Sequence, residues 1–463
     1  MKRILCILSM LVFCHYSFAQ GFPTTKWEDN TDETWYDASL DTFEINTAEE
    51  LAGLASLVNA GNDFSGKTIL LTQSIDLSQH LWTPIGQTTS LPFSGTFDGV
   101  NYEVSNVKIN SAAQNIIGFF GHCIGSTIQN VVVKDAHIIG KDTVGGVVAN
   151  LSTNSLMTNC HSKNIQIQGD ATVGGLVGGL LTDSNITKSS SEGSVSGVQQ
   201  IGGLVGTAWN KSEISESYSL GSVQANNIAG GLVGYCTMSF APNTINVVKN
   251  CYSRASATAT GDSAGALYGT AQFNGAIYNS YGTGQVSAST NAGGLVGMIQ
   301  NGTVEYGYYD IETTGQSIGI GDAGMTPDQI SIEGKTTSEM KTQAMVDLLN
   351  TNQTNIWTID PNVNDGYPIL ANLTYVMSTD EVKTGTLSVE VAPTMVQESF
   401  TIYNDKKLKI NYEIYDRSGR LLKRSEMTPD SKIVVNVQDF HSGVYIVKVQ
   451  SPDQFKTVRL VKK

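Results

Sequence analysis

Asp135, Asp142, Asp170, Asp183, Glu192, Glu213 and Glu216 are spread through the glycine-rich middle of this chain. Carboxylates in such number raise the question of sugar chemistry. Cleaving a glycosidic bond needs two or three carboxyl groups converging on one face, or a carboxylate-held cation beside a basic group. Aligned on the surrounding repeats, these residues fall on turns and fill no adjacent places of one column. His80, His122, His137 and His161 share no metal-ligand spacing. The acidic run from Trp27 to Asp41 carries Glu28, Asp29, Asp32, Glu33, Asp37 and Asp41 without EF-hand spacing, and reads as a solvated segment. The expectation is a protein without catalytic residues, metal or cofactor. A polysaccharide lyase or glycoside hydrolase with its site in the long turns near Met238 to Asn246 is the rival.

A different chemistry is suggested by one column of side chains. His161, Ser190, Tyr218, Tyr252, Tyr281 and Tyr308 each follow a small residue, namely Cys160, Ser189, Ser217, Cys251, Ser280 and Gly307. Strand neighbours point to opposite faces, so if the small residues point inward the tyrosines point outward. Tyr218, Tyr252, Tyr281 and Tyr308 would then form an aromatic stripe on which sugar rings could stack, or rings that only pack on one another. The cysteines are read from the same register. Cys123 and Cys236 share a column four rungs apart, and Cys160 and Cys251 another three rungs apart, which at ~4.8 Å per rung is far beyond disulfide reach. Buried free thiols are expected, with Cys236 and Cys251 the one pairing this geometry leaves open.

The register comes from a repeat. Val173-Gly174-Gly175-Leu176-Val177-Gly178 recurs as Ile201 to Gly206, Ala229 to Gly234 and Ala292 to Gly297, with looser copies at Ile117, Val144 and Ala264. Successive copies are 28, 29, 28, 28, 35 and 28 residues apart, a solenoid period. Each repeat holds three short apolar segments, hence three faces. Ile128, Met157, Ile186, Ile214, Val248, Ile277 and Val304 align as one inward column, and Cys123, Leu151, Leu180, Ala208, Cys236, Ala271 and Ile299 as another. The fold expected is all-β: a right-handed parallel β-helix with helical caps, followed by a small antiparallel β-sandwich. Thr47-Ala48-Glu49-Glu50 is a capping box opening a helix that would cover the first rung. Residues 20–110 are read as N-terminal cap and first coils, 111–307 as the repeat body, 308–373 as a C-terminal cap with a helix from Thr337 to about Leu349, and 374–387 as a linker. The step of 35 is absorbed by an outward loop near Met238 to Asn246.

Lys2 and Arg3 precede an apolar run from Ile4 to Phe13, and Ser17-Phe18-Ala19 has small residues at −3 and −1, so residues 1–19 read as a signal peptide cleaved after Ala19. No other stretch has the ~18 apolar residues a membrane helix needs. Between Gln20 and Leu387 there are 13 Lys+Arg and 33 Asp+Glu, a net of −20 with Arg254 the single arginine, which excludes nucleic acid as a partner. Residues 388–463 hold 13 and 9, a net of +4, and alternate as β-strands do.

These residues carry two resemblances. The repeats resemble the GLUG motif, through the Gly-Leu-Val-Gly cores at Gly175 to Gly178, Gly203 to Gly206, Gly231 to Gly234 and Gly294 to Gly297. Residues 388–463 resemble the type IX secretion C-terminal sorting domain, through Asp416, Gly419 and Arg420 in Ile414 to Arg420, through Gly443 and Tyr445 in Ser442 to Tyr445, and through the terminal Lys456 to Lys463. Pro393-Thr394-Met395 stands where that family usually has Pro-Asn-Pro. The resemblances imply a bacterial surface or secreted adhesin-like protein, Bacteroidetes-like, whose partners are the type IX secretion machinery and an extracellular glycan or protein ligand. Asp142-Thr143-Val144 and Asp262-Ser263-Ala264 resemble the O-glycosylation sequon of that bacterial group.

Overall fold

The structure, a computed structural model, describes residues 21–237, 245–272, 275–324, 329–371, 389–393, 395–404, 407–415, 421–425, 428–441, 443–451 and 455–462. Two compact units divide the chain, Met1–Leu373 and Thr374–Lys463.

The first unit is a parallel β-helix. Its inward column runs unbroken from rung to rung: Phe43, Ile69, Phe97, Ile128, Met157, Ile186, Ile214, Val248, Ile277, Val304 and Ile330 pair in that order, each with the next. From Phe43 to Val304 every member is at most 3% exposed. Burying each such side chain is worth roughly 1.5–3 kcal/mol, so stacking like on like is the main stabilising term. The column of Cys123, Leu151, Leu180, Ala208, Cys236, Ala271 and Ile299 is likewise continuous and inward.

The glycine blocks make the third corner. In the coils from Thr172 to Gln300 one short strand ends on the first glycine and the next begins just after the leucine, as in Thr172–Gly174 and Val177–Leu181. Both strands turn their outer faces toward each other across a crease. A Cβ on Gly174 would lie closer than 3.0 Å to the carbonyl of Val177 and to the amide of Gly206 on the next coil, and one on Gly202 equally close to Val205 and Gly234. Backbone fills the space that a methyl group would need, so the repeat's glycines are explained by close approach alone.

The N-terminal end is closed. Helix α1 (Ala48–Asn59) begins at the expected capping box, with the Thr47 hydroxyl accepting from the Glu50 amide and the Glu50 carboxylate from the Thr47 amide. Leu51, Leu54, Ala55 and Val58 are buried, and Trp35 and Tyr36 pack on Phe43 and Phe64 beside them.

The other end differs from expectation in two ways. Parallel pairing runs past Tyr309: Ile320–Ala323 pairs with Val296–Gln300, and Gln329–Lys335 pairs with Thr303–Asp310, which adds one more rung. Ile318-Gly319-Ile320-Gly321 takes the place of a glycine block there without its Gly-Gly pair. Secondly, the segment expected as one cap helix is two, α2 (Thr337–Met340) and α3 (Gln343–Leu349). Thr336 with Glu339 caps the first, and the Thr342 hydroxyl accepts from the Met345 amide to start the second. After α3 a two-stranded antiparallel pair, Trp357–Thr358 with Ile369–Leu370, completes a strap that lies along the side of the last coils, where the tyrosines are.

The second unit has a sheet of three strands and one of five around Phe400, Ile402, Ile414, Val435, Val447 and Leu460. Its pairings are antiparallel except Met395–Val396 with Phe455–Lys462.

Candidate functional site

The tyrosine column exists and points outward, but it is closed. Tyr218, Tyr252, Tyr281 and Tyr308 pair in consecutive rungs and are 3%, 1%, 0% and 4% exposed. The rings of Tyr218 and Tyr252 stack at 4.8 Å and those of Tyr252 and Tyr281 at 5.2 Å, nearly parallel. Trp357 and Tyr367 of the strap lie over them, at 5.6 and 6.4 Å from the Tyr281 ring. Of the two readings of this column, rings that pack on one another and a surface open to sugars, the second is corrected: a segment distant in sequence occupies it. Its anchors are polar. The Tyr281 hydroxyl donates to the Pro368 carbonyl at 2.6 Å and accepts from Asn364 at 3.0 Å, the Tyr367 hydroxyl donates to Asp310 at 2.7 Å, and Asn279 donates to the Leu349 and Thr351 carbonyls. Asn250 and Gln353 exchange two amide hydrogen bonds. Farther up the column, burial pushes His161 down to about 3, so its ring is neutral in the fold, 2.8 Å from the Ser190 hydroxyl.

The four cysteines of the described chain are buried and free. Burial raises every one of their thiols, to about 12 for Cys160, Cys236 and Cys251, which leaves them unreactive.

Carboxylates remain scattered. In the acidic segment Asp32 accepts from Thr34, Asp37 from Ser39, and Glu28 and Asp41 pair with Lys26 and Lys67. Hydrogen bonds from Thr34 and Ser39 hold the two aspartates below the usual carboxylate range. Among the described residues no three His, Cys, Asp or Glu side chains come together as a metal would require. A half-open cleft of about 230 Å³ lies between α1 and the first coils, lined by Trp27, Glu28, Asn59, Trp82, Thr83 and Gln87 among others. Its polar groups are largely spoken for: Glu28 by Lys26 and Thr83, and Asn59 by the Pro84 carbonyl and the Gly86 and Gln87 amides. Of the two sequon-like triplets, Ser263 is fully buried with its hydroxyl 2.6 Å from that of Thr270, whereas Thr143 is partly exposed.

One residue that the repeat alignment could have singled out is Trp209. It follows inward Ala208 in the strand Val205–Trp209 and so faces outward, paired with Leu181 on one side and Thr237 on the other. Trp27, Trp82 and Trp357 are at most 3% exposed, but Trp209 is 39% exposed. Among the described residues its indole N–H has no protein acceptor. On the same outer face Thr207 donates to Gln200 at 2.7 Å and the Tyr235 hydroxyl to Gln272 at 2.5 Å. Gly179, opposite Thr207, has the side-chain oxygen of Asn150 and the Leu181 side chain against it. The loop expected near Met238 to Asn246 lies outside the described residues up to Thr244.

In the second unit, Gly443 begins the long strand Gly443–Gln450, and Tyr445 is nearly buried, its hydroxyl donating to the His441 carbonyl at 2.7 Å and its ring 5.0 Å from that of Phe440. Asp416, Gly419 and Arg420, and Ala19 at the other terminus, lie outside the described residues.

The class defined by this geometry is a repeat β-helix carried with a separate small β-domain. Comparison with known families makes both parts specific. The model of the GLUG motif matches residues 169–196, one coil of the helix, and the secretion system C-terminal sorting domain matches residues 390–463. The chain therefore carries a type IX sorting domain, which directs secretion to the cell surface or the extracellular space. A "Putative Gly-rich membrane protein" of Evansella cellulosilytica is 34% identical over 142 residues, 29% of this chain but 15% of that protein. Among the described residues no helix is long and apolar enough to cross a membrane.

Proposed function

We propose that this chain is a non-enzymatic, adhesin-like protein that leaves the cell by type IX secretion, after a signal peptide cleaved at Ala19, and holds an extracellular glycan on the outer face of its β-helix. The observation that carries the reading is Trp209: a large, half-polar ring displayed on a rigid sheet between Leu181 and Thr237, with Thr207 two residues back on the same outer face, is the kind of surface on which a sugar ring stacks while its hydroxyls find polar partners. Scattered and internally paired carboxylates favour binding over bond cleavage. Purified from the medium or cell surface, the protein should begin at Gln20, bind members of a glycan array and release no reducing ends from them. Trp209→Ala should abolish that binding while the coils stay folded, with a stability loss of about 1–2 kcal/mol for the covered part of the ring. Binding untouched by Trp209→Ala, or captured proteins in place of glycans, would overturn the ligand assignment, and release of reducing ends would overturn the non-enzymatic reading.

A further inference from the structure

The inner column that is sealed at Phe43, 3% exposed, comes out into solvent at Ile330, 37% exposed, although Val304 one rung earlier is at 0%. The same happens in the neighbouring columns. Ile320 and Ile332 pack on the core but are only partly buried, and Ile311 and Ile318 are 37% and 52% exposed close by. Backbone is open there too. Ile320–Ala323 ends its sheet, and Gln329–Lys335 pairs on one side only, with Thr303–Asp310; neither strand has a further partner among the described residues. The strap that could have covered this rung is spent on the tyrosines.

We propose that this rung is a self-association surface, on which the strand Gln329–Lys335 pairs antiparallel with the same strand of a second copy, tail to tail. A second copy is favoured by the asymmetry of the ends. With the first rung under α1, head-to-tail growth has no complementary edge, so the one closed arrangement left is a two-fold dimer. The strand also fits itself. About a two-fold axis at Ile332 the two strands overlap in full: Ile332 meets Ile332, Ile330 lies over Gly334 and Ser331 faces Glu333. Isoleucines fall on the inner side and no like charges are opposed. Charged outer positions at Glu333 and Lys335, already bridged within one chain, would instead keep the edge from pairing at random. The net charge of −20 on each body opposes approach at long range, but at physiological salt it is screened beyond about 8 Å.

Sedimentation of the purified full chain across a concentration series tests this. A dimer is expected, and Ser331, exposed and facing Glu333 across the two-fold, sets its strength. Ser331→Glu places two pairs of carboxylates in opposition and should weaken association roughly tenfold; Ser331→Lys creates two opposite-charge pairs and should tighten it by a similar factor. A monomer at every concentration up to the millimolar range, or a dimer that both substitutions leave unchanged or shift in the same direction, would overturn the proposal. Because both variants alter one exposed side chain, each should melt with the parent, so a change in association is not a change in folding.

Discussion

Phe43 and Ile330 stand at opposite ends of one stack of side chains, and their surroundings differ in how the chain solved the same problem. A β-helix must stop somewhere, and its last rung exposes apolar side chains and unpaired backbone. At the first rung the solution is local: α1 follows the first strand within a few residues, brings its own capping box, and lays Leu51, Leu54, Ala55 and Val58 over the opening. At the last rung the helices and hairpin after Lys335 are not placed over the opening but turned alongside, where a ladder of tyrosines supplies stacked rings and hydroxyl anchors. Stability at one end therefore rests on end-capping, and at the other on a lateral clamp.

The sharpest way to break this contrast is to truncate the same column at each end. Phe43→Ala removes a ring packed on all sides and should destabilise by about 3–5 kcal/mol, whereas Ile330→Ala, measured in dilute protein, should cost less than about 1 kcal/mol because much of that side chain is already in water. Urea melts followed by circular dichroism measure both. Equal losses would mean the final rung is covered in solution.

The clamp is tested at its hydroxyl. Tyr281→Phe keeps the ring stack but deletes the donor to Pro368 and the acceptor of Asn364, for an expected loss of roughly 1–2 kcal/mol. The loss should be local. Amide exchange should quicken across 336–371 and in the coils around Tyr252 and Tyr308, while α1 keeps its protection. Uniform acceleration from end to end would show that the strap and the first rung belong to one cooperative unit.

What was readable in the sequence follows the range of the interactions. Rung-to-rung stacking repeats one environment about every 28 residues, so Cys236 and Ala208 betray each other's orientation, and the same arithmetic separates the cysteines of each column while leaving Cys236 with Cys251 open, a pair the structure shows as free thiols. The Thr47 capping box is legible because all its partners lie within three residues. Burial of the tyrosines was not, since Tyr281 meets Pro368 across 87 residues and no periodicity links them. The extra rung was hidden for another reason: the crease needs glycines where backbones of successive coils touch, and the last coil has no successor, so Ile318 can replace a glycine there. Trp209 is legible by the same alternation as the tyrosines, since it follows inward Ala208 as they follow small inward residues.

Acid should separate the two ends by the smallest margin. Asp365 in the strap is held below the usual aspartate range, chiefly by the hydrogen bond from Lys341 at 3.0 Å and further by the nearby Arg254 guanidinium. A carboxylate with a depressed folded value binds its proton more readily when the strap is detached. Its contribution is therefore complete above the ordinary value of 3.8 and is lost as pH falls below it through the folded value. Because the Asp365 side chain is 66% exposed, solvent and salt screen these contacts and the effect is small. Amide exchange in Lys341 to Tyr367 should rise modestly below about pH 4 relative to that in α1, in the window where an aspartate titrates. Asp365→Asn should flatten that difference by bringing the loosening already to neutral pH. Should the strap of the parent and of Asp365→Asn respond to acid alike, the clamp owes its hold to the tyrosine ladder and its hydroxyls alone.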